Sequence, residues 1–151
     1  MSWWTVCAER TLTEDIPAPP NEVRDFYVDL TNIKRVHPLV VAVKETCRHQ
    51  TAGGYVQTYR VSDRIPVGHF ALPISYVARL SVPADGDVVA EARQFPGVRL
   101  HTTITFDKVA DGTRLTEQIR IEAPRPLAAV TTREAVTAHT EMLAGIRRCF
   151  E

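Results

Sequence analysis

Five short turn sequences divide the middle of the chain into segments of strand length. They are Gly53-Gly54, Pro66-Val67-Gly68, Asp85-Gly86, Pro96-Gly97 and Asp111-Gly112. Asp-Gly and Gly-Gly accept the positive φ that tight hairpin turns require. Strands joined by such short turns pair with their neighbours in the sequence, so this spacing predicts an antiparallel meander.

The segments between these turns alternate apolar residues with other residues at a period of two, which is typical of half-buried strands. Six strands are predicted on this basis, at 41–51, 55–65, 69–82, 88–95, 98–108 and 113–123. A seventh is predicted at 3–14, where the adjacent Trp3 and Trp4 would point to opposite faces. Because Pro73 has no amide hydrogen, we expect an edge position or a bulge at that residue.

Two segments have helical spacing instead. The first is short, and its apolar residues recur at i, i+3, i+4 and i+7 in Val23, Phe26, Tyr27 and Leu30. A second short turn follows it and ends before Pro38. At the C-terminus, an apolar stripe predicts a long helix over 132–150, with Thr131 and Glu134 as a capping box. Alternatively, the helix begins earlier, with Pro126 in its first turn.

Composition excludes several classes of function. Lysine and arginine together number 18, and so do aspartate and glutamate, so no basic excess indicates a nucleic-acid partner. The longest uncharged run, 65–78, is shorter than the ~20 apolar residues of a membrane-spanning helix. The N-terminus does not resemble a secretory signal, and the 3 cysteines are far apart. We therefore expect a single domain, 1–151, in the reducing cytoplasm.

The element order predicts an α+β fold with an internal cavity. A seven-stranded antiparallel sheet can bury its apolar face against one long helix only by curving around it. Several inward positions carry small or polar residues, namely Ala78, Ala90, Ala92, Thr102, Glu117 and Ala135. Aromatic residues, which would fill such a volume best, make up only 7% of the chain.

Three parts of the sequence carry a family resemblance. They are Ile16-Pro17-Ala18-Pro19-Pro20-Asn21-Glu22-Val23, the 29–38 segment with Val40-Val41-Ala42-Val43 after it, and His139-Thr140-Glu141-Met142-Leu143 in the last helix. With the element order, the whole chain resembles the START-like helix-grip (SRPBCC) superfamily. This birch-pollen-allergen-like group includes polyketide cyclases, dehydratases and lipid carriers. The resemblance implies a small apolar ligand, such as a lipid or polyketide, held between the sheet and the helix.

Glu117 and His139 are the candidate catalytic residues. The alternation of Leu115 and Ile119 around Glu117 points this carboxylate inward, where it could act as a general base or anchor a ligand. Alternatively, it reaches solvent at the strand end or pairs with an arginine such as Arg79. His139 lies in the apolar helix stripe and is either a proton shuttle or a core histidine satisfied by one partner. If the two approached each other, they would form an acid–base pair.

Six residues are predicted to contact the ligand: His37, Gln57, Tyr59, Tyr76, Thr102 and Met142. Gln57 and Tyr59 could orient a polar group of the ligand, but the opposite register, with Val56 and Thr58 inward, fits their strand nearly as well. For Tyr76, a core or rim tyrosine whose hydroxyl needs a partner is a simpler account than a catalytic acid.

His37 stands where the family pattern often has an aromatic residue before the proline. The resemblance would place this polar group at the pocket mouth. A surface-loop histidine is the simpler account.

These observations support three hypotheses. The first is a carrier or sensor that binds a small apolar molecule. The second is a polyketide cyclase, aromatase or dehydratase that uses Glu117 or His139 as acid or base. The third is an interaction protein, such as a homodimer formed through Trp3 and Trp4. No cofactor is predicted, because nucleotide-binding motifs are missing from the sequence. Because no two histidines have ligand spacing, no metal site is predicted either.

Overall fold

A computed structural model of the chain describes residues 3–151, and within them seven strands form one antiparallel sheet. In chain order they are β1 (Thr5–Ile16), β2 (Val40–Thr51), β3 (Gly54–Val67), β4 (Phe70–Pro83), β5 (Val88–Gln94), β6 (Val98–Val109) and β7 (Gly112–Pro124). The order across the sheet is β1-β7-β6-β5-β4-β3-β2. The meander predicted from the turn sequences is therefore confirmed. Strand β1 joins this sheet at one edge by pairing with β7.

Pro73 lies on a locally open edge. Strand β4 pairs with β3 along its whole length, but its other side pairs with β5 only over Val77–Ser81. The first half of β4, which contains Pro73, therefore has no strand on that side. A proline without an amide hydrogen costs no ladder hydrogen bond there.

The helices are α1 (Pro20–Val28), α2 (Leu30–Ile33) and α3 (Ala128–Cys149), and a 3₁₀ turn, Arg125–Leu127, precedes α3. The long helix begins at Ala128, so the start at 132 and the capping box were wrong, and the alternative of an earlier start, near Pro126, is the one observed. No side chain caps the start of α3, and a proline in the 3₁₀ turn supplies a backbone already set for a helix.

Helix α3 packs against β1 and β7, and the core lies between it and the sheet. Gly145 permits a close approach of α3 to the turn that follows α2, because a Cβ at this position would lie 2.9 Å from Val36 Cβ. This contact holds the segment between α2 and β2, which carries His37, beside α3.

The two tryptophans differ from the sequence prediction. Strand β1 begins at Thr5, so Trp3 and Trp4 lie in a turn ahead of it. Their rings stack with centroids 4.6 Å apart instead of pointing to opposite faces. Both remain exposed, at 66% and 57%.

Candidate functional site

A cavity of about 610 Å³ lies between the sheet and α3. Its wall is mostly apolar and includes small residues that leave the space unfilled: Ala78, Ala90, Ala92, Ala135 and Ala138. Five of the six small or polar inward positions predicted from the sequence line it, and only Glu117 does not. A cavity of this size and lining is typical of a small-molecule site.

Exposed apolar side chains surround the opening of the cavity. Val67 and Leu72 come from the β3–β4 hairpin, Phe95 from the turn after β5, and Val130 from the start of α3. Phe95 is 93% exposed. An apolar molecule could therefore reach the cavity along apolar surface.

Glu117 lies in the core behind the cavity wall. Strand alternation on β7 places it between Leu115 and Ile119, and its side chain is fully buried. The Tyr27 hydroxyl donates a hydrogen bond to Glu117 Oε2, and His139 Nδ1 lies 2.8 Å from Glu117 Oε1. The sequence left open whether Glu117 pairs with an arginine; it pairs with a tyrosine and a histidine instead.

His139 connects this buried carboxylate to the cavity. Burial alone would lower its pKa, but the charge of Glu117 and the hydrogen bond to it act in the opposite direction, and the net pKa is raised. Because Nδ1–H donates to Glu117, the ring orientation is fixed. His139 also lines the cavity, and Nε2 has no hydrogen-bond partner among residues 3–151. The arrangement can hold or transfer a proton at the cavity wall.

A second imidazole stands beside the first. The His37 ring meets the His139 ring edge-on, with centroids 5.5 Å apart, and both line the cavity. Burial, and then the neighbouring His139, lower the pKa of His37 to about 3, so its ring is neutral at pH 7. Its Nδ1 accepts a hydrogen bond from the Leu39 amide at 3.2 Å. The proton of the neutral ring therefore resides on Nε2, which is a hydrogen-bond donor.

Asp63 and Tyr76 form another polar group on the opposite sheet wall. Both line the cavity, from neighbouring strands β3 and β4. Burial raises the pKa of Asp63 to about 6, although a hydrogen-bonding interaction with Tyr76 and the charge of His139 act against this. Sequence reasoning found Tyr76 but missed Asp63. Continuing the alternation of Gln57 and Tyr59 along β3 would have found it, because all three residues are buried on one face.

The other predicted ligand contacts divide into two groups. Thr102 and Met142 line the cavity. Within the described chain, Gln57 and Tyr59 are buried but are not part of that lining.

Gln57 and Tyr59 instead bond to neighbouring parts of the fold. Gln57 accepts a hydrogen bond from Arg48 Nε at 2.8 Å and donates one to the Cys47 carbonyl at 3.0 Å. The Tyr59 hydroxyl donates to the Val28 carbonyl at 3.1 Å. Their side chains hold β2 and α1 in place.

The sheet curved around a long C-terminal helix, with short helices after β1, is the helix-grip fold predicted from the sequence. The chain belongs to the family described as polyketide cyclase / dehydrase and lipid transport, whose profile matches residues 8–151. No curated protein matches the sequence.

Solved structures share this fold at low identity. A protein from Thermus thermophilus has 18% identity and a TM-score of 0.71, covering 95% of this chain and 94% of that one. An aromatase/cyclase from a Streptomyces species has 15% identity and a TM-score of 0.63, with coverages of 95% and 94%. A STAR-related lipid transfer protein from Xanthomonas axonopodis has 16% identity and a TM-score of 0.65, with coverages of 99% and 95%. At these identities the likeness establishes the fold alone.

The described part of the chain lacks two other structural features, a membrane-spanning helix and a metal-binding cluster. Among residues 3–151, no helix has the length and apolar character needed to cross a membrane. In the same part of the chain, histidine, cysteine and acidic side chains do not gather into a group of three that could hold a metal ion.

Proposed function

We propose that this protein binds a small apolar molecule, such as a lipid or a polyketide, in the cavity between the sheet and α3, and acts as its carrier or sensor. The cavity of about 610 Å³ carries the proposal, because it is lined mainly by alanine and aliphatic side chains and opens among exposed apolar residues. A volume of this size accommodates a drug-sized ligand. Membership of a family that includes lipid-transport proteins supports the same interpretation.

Native mass spectrometry of the purified protein, followed by organic extraction, tests this proposal. We expect a co-purifying apolar molecule, or binding of one from a panel of fatty alcohols, flavonoids and aromatic polyketides. Ala90→Phe would place a ring in the cavity and should abolish binding, whereas Ala110→Phe in the exposed β6–β7 turn should not. Binding that is indifferent to Ala90→Phe, or no binding to any compound, would contradict the proposal.

The Glu117–His139 pair supports a second candidate, a cyclase- or dehydratase-type enzyme. When His139 is neutral, its Nε2 would remove a proton from a carbon next to a ligand carbonyl, and Glu117, bonded to Nδ1–H, would hold the ring and stabilise the imidazolium that forms. The enolate oxygen that forms would receive a hydrogen bond from the neutral His37 or from Tyr76, both in the cavity wall. In this scheme Glu117 is a positioning residue, since it does not line the cavity.

Deuterium exchange at the carbon next to the carbonyl of phenylacetone, followed by NMR, tests the enzymatic alternative. The wild type should accelerate exchange above the buffer rate, and His139→Gln should remove the acceleration. His69→Gln changes an exposed histidine outside the cavity lining and serves as the matched control. An acceleration that persists in His139→Gln would exclude His139 as the base.

We also propose the partners and the location of the protein. The balanced charge of the chain supports a small-molecule partner over a nucleic acid, and the widely spaced cysteines support the cytoplasm. The exposed, stacked Trp3 and Trp4 support a homodimer. Sedimentation that is identical for Trp3→Ser and the wild type would argue against a dimer through these residues.

A further inference from the structure

Asp63 is a buried carboxylate without a full set of partners. Its side chain lies on the sheet wall of the cavity and the residue is 7% exposed. Among residues 3–151, its Oδ1 is the only buried side-chain oxygen or nitrogen without a hydrogen-bond partner. An orphaned buried acceptor is costly to folding, so its presence in a cavity wall requires a functional explanation.

Apart from two histidines, the titratable side chains of the cavity wall that carry a charge are all acidic. The described lining contains three carboxylates, Asp63, Glu91 and Glu134, and neither lysine nor arginine. Glu134 lies 3.9 Å from the Arg133 guanidinium, and Glu91 lies 3.8 Å from His101 Nε2. Asp63 has no ion pair with any described residue.

The two histidines of the wall do not reverse this sign. His37 is neutral at pH 7, and the charge of His139 is balanced by Glu117, to which it is bonded. Tyr76 is the other titratable group that interacts with Asp63, and burial raises its pKa well above the normal range, so it adds no charge. The carboxylate of Asp63 therefore lacks a cation of its own among the described residues, because the charge of His139, which also acts on it, is bonded to Glu117.

We propose that the cavity binds an apolar molecule carrying a hydrogen-bond-donating amine, seated against Asp63 Oδ1, and that it rejects molecules ending in a carboxylate. This deepens the proposed ligand-binding function and rests on it. A protonated amine supplies both the missing donor and the opposite charge. A carboxylate would place two negative charges together in an apolar cavity. Free fatty acids are thus excluded as ligands, whereas amines are admitted and neutral alcohols bind less tightly.

Four naphthalene compounds that share one ring system test this inference: naphthylmethylamine, naphthylmethanol, naphthoate and methylnaphthalene. Their Kd values are measured by isothermal titration calorimetry at neutral pH with the ligand-stripped wild type. A hydrogen bond to a charged group changes affinity by roughly ten- to a hundredfold. We expect naphthylmethylamine to bind at least about tenfold more tightly than naphthylmethanol, and naphthoate to bind most weakly.

Asp63→Asn isolates the carboxylate. This variant should bind naphthylmethylamine about tenfold or more weakly than the wild type does, and naphthoate more tightly. Its affinity for methylnaphthalene should be nearly unchanged. Asp107→Asn makes the same change at an exposed position outside the cavity lining and should leave every Kd unchanged.

The outcomes separate the two proposals. If the amine and the carboxylate bind the wild type equally, or if Asp63→Asn leaves the amine affinity intact, the inference about Asp63 is wrong while ligand binding stands. If none of the four compounds binds, including methylnaphthalene, the proposed function itself fails. Should Asp63→Asn not fold, the ratio of amine to carboxylate affinity in the wild type still decides the question.

Discussion

Replacing Tyr27 by phenylalanine should measure how strongly the buried Glu117 depends on its partners. The tyrosine is 5% exposed, and its ring packs edge-on against Phe106 with centroids 5.8 Å apart. Tyr27→Phe keeps the ring and this packing but removes the hydroxyl that donates to Glu117 Oε2. Glu117 then retains His139 as its only hydrogen-bond partner among the described residues.

The expected magnitude follows from the charge of the acceptor. A hydrogen bond to a charged group contributes about 1.5–3 kcal/mol to stability, and a bond between neutral groups about 0.5–1.5 kcal/mol. Tyr59 provides the matched control, because it is 1% exposed and its hydroxyl donates to the neutral Val28 carbonyl. Tyr27→Phe should therefore lower the free energy of unfolding by about 1 kcal/mol or more beyond the loss in Tyr59→Phe.

Urea unfolding of ligand-stripped protein at pH 7, followed by circular dichroism, is the assay. Stripping matters because Tyr27 lines the cavity, and a ligand bound to the folded state would add its own stabilisation. For a chain of this length, a change of 1 kcal/mol also shifts Tm by about 2–4 °C, which gives an independent check.

A loss in Tyr59→Phe equal to or greater than that in Tyr27→Phe would refute the reasoning. It would mean that the Tyr27 hydroxyl contributes no more to stability than a hydroxyl bonded to a neutral acceptor. A loss below about 0.5 kcal/mol in Tyr27→Phe would have the same meaning, since even a neutral bond exceeds it.

Three pH-dependent predictions follow from the cavity groups, each checked by the free energy of unfolding across pH. Because the folded-state pKa of Asp63 is raised from 3.8 to about 6, wild-type stability falls as pH rises through this interval. The free energy of unfolding of Asp63→Asn should not show this fall, so it should rise relative to that of the wild type by up to about 3 kcal/mol between pH 4 and pH 7. A difference that stays constant over this range would contradict the prediction. Because the folded-state pKa of His37 is lowered from 6.5 to about 3, the wild type loses stability as pH falls through that interval. His37→Asn retains an acceptor for the Leu39 amide and should lose less stability than the wild type as pH falls. Identical dependence of unfolding free energy on pH in the two proteins would contradict this prediction. The pKa of His139 is raised above 6.5, so its bond with Glu117 stabilises fully below that value and is lost as pH rises through the raised pKa. His139→Gln should accordingly cost more stability at pH 6 than at pH 9, and a cost independent of pH would argue against the ion pair.

The fold could be predicted because its determinants are local. Turn pairs such as Asp85-Gly86 lie between consecutive strands, and period-two alternation assigns the inward face, as it did for Glu117. The start of α3 was less accessible, because a 3₁₀ turn at Arg125–Leu127 and not a capping side chain prepares it.

The partners in the site could not be predicted, because they are separated by long stretches of sequence. Tyr27 and Glu117 are 90 positions apart, and Glu117 and His139 are 22 apart on different elements. Alternation and helical spacing indicate which way each side chain points. The distance between two side chains on different elements, however, depends on how strongly the sheet curves around α3. Gly145, which brings the segment carrying His37 close to α3, has no signature in the local pattern.

Two buried carboxylates, Asp63 in the cavity wall and Glu117 behind it, explain how the fold can be stable and still select a ligand. Glu117 has two protein partners and adds rigidity to the wall, so its charge is satisfied before any ligand arrives. Asp63 keeps one oxygen without a partner, and its raised pKa shows that folding carries the cost of burying it. A neutral side chain at this position would make the protein more stable and the cavity indifferent to charge. A ligand that donates a hydrogen bond to Asp63 therefore recovers the stability that this residue costs the empty protein. For this reason the same variant, Asp63→Asn, should gain stability and lose affinity for an amine.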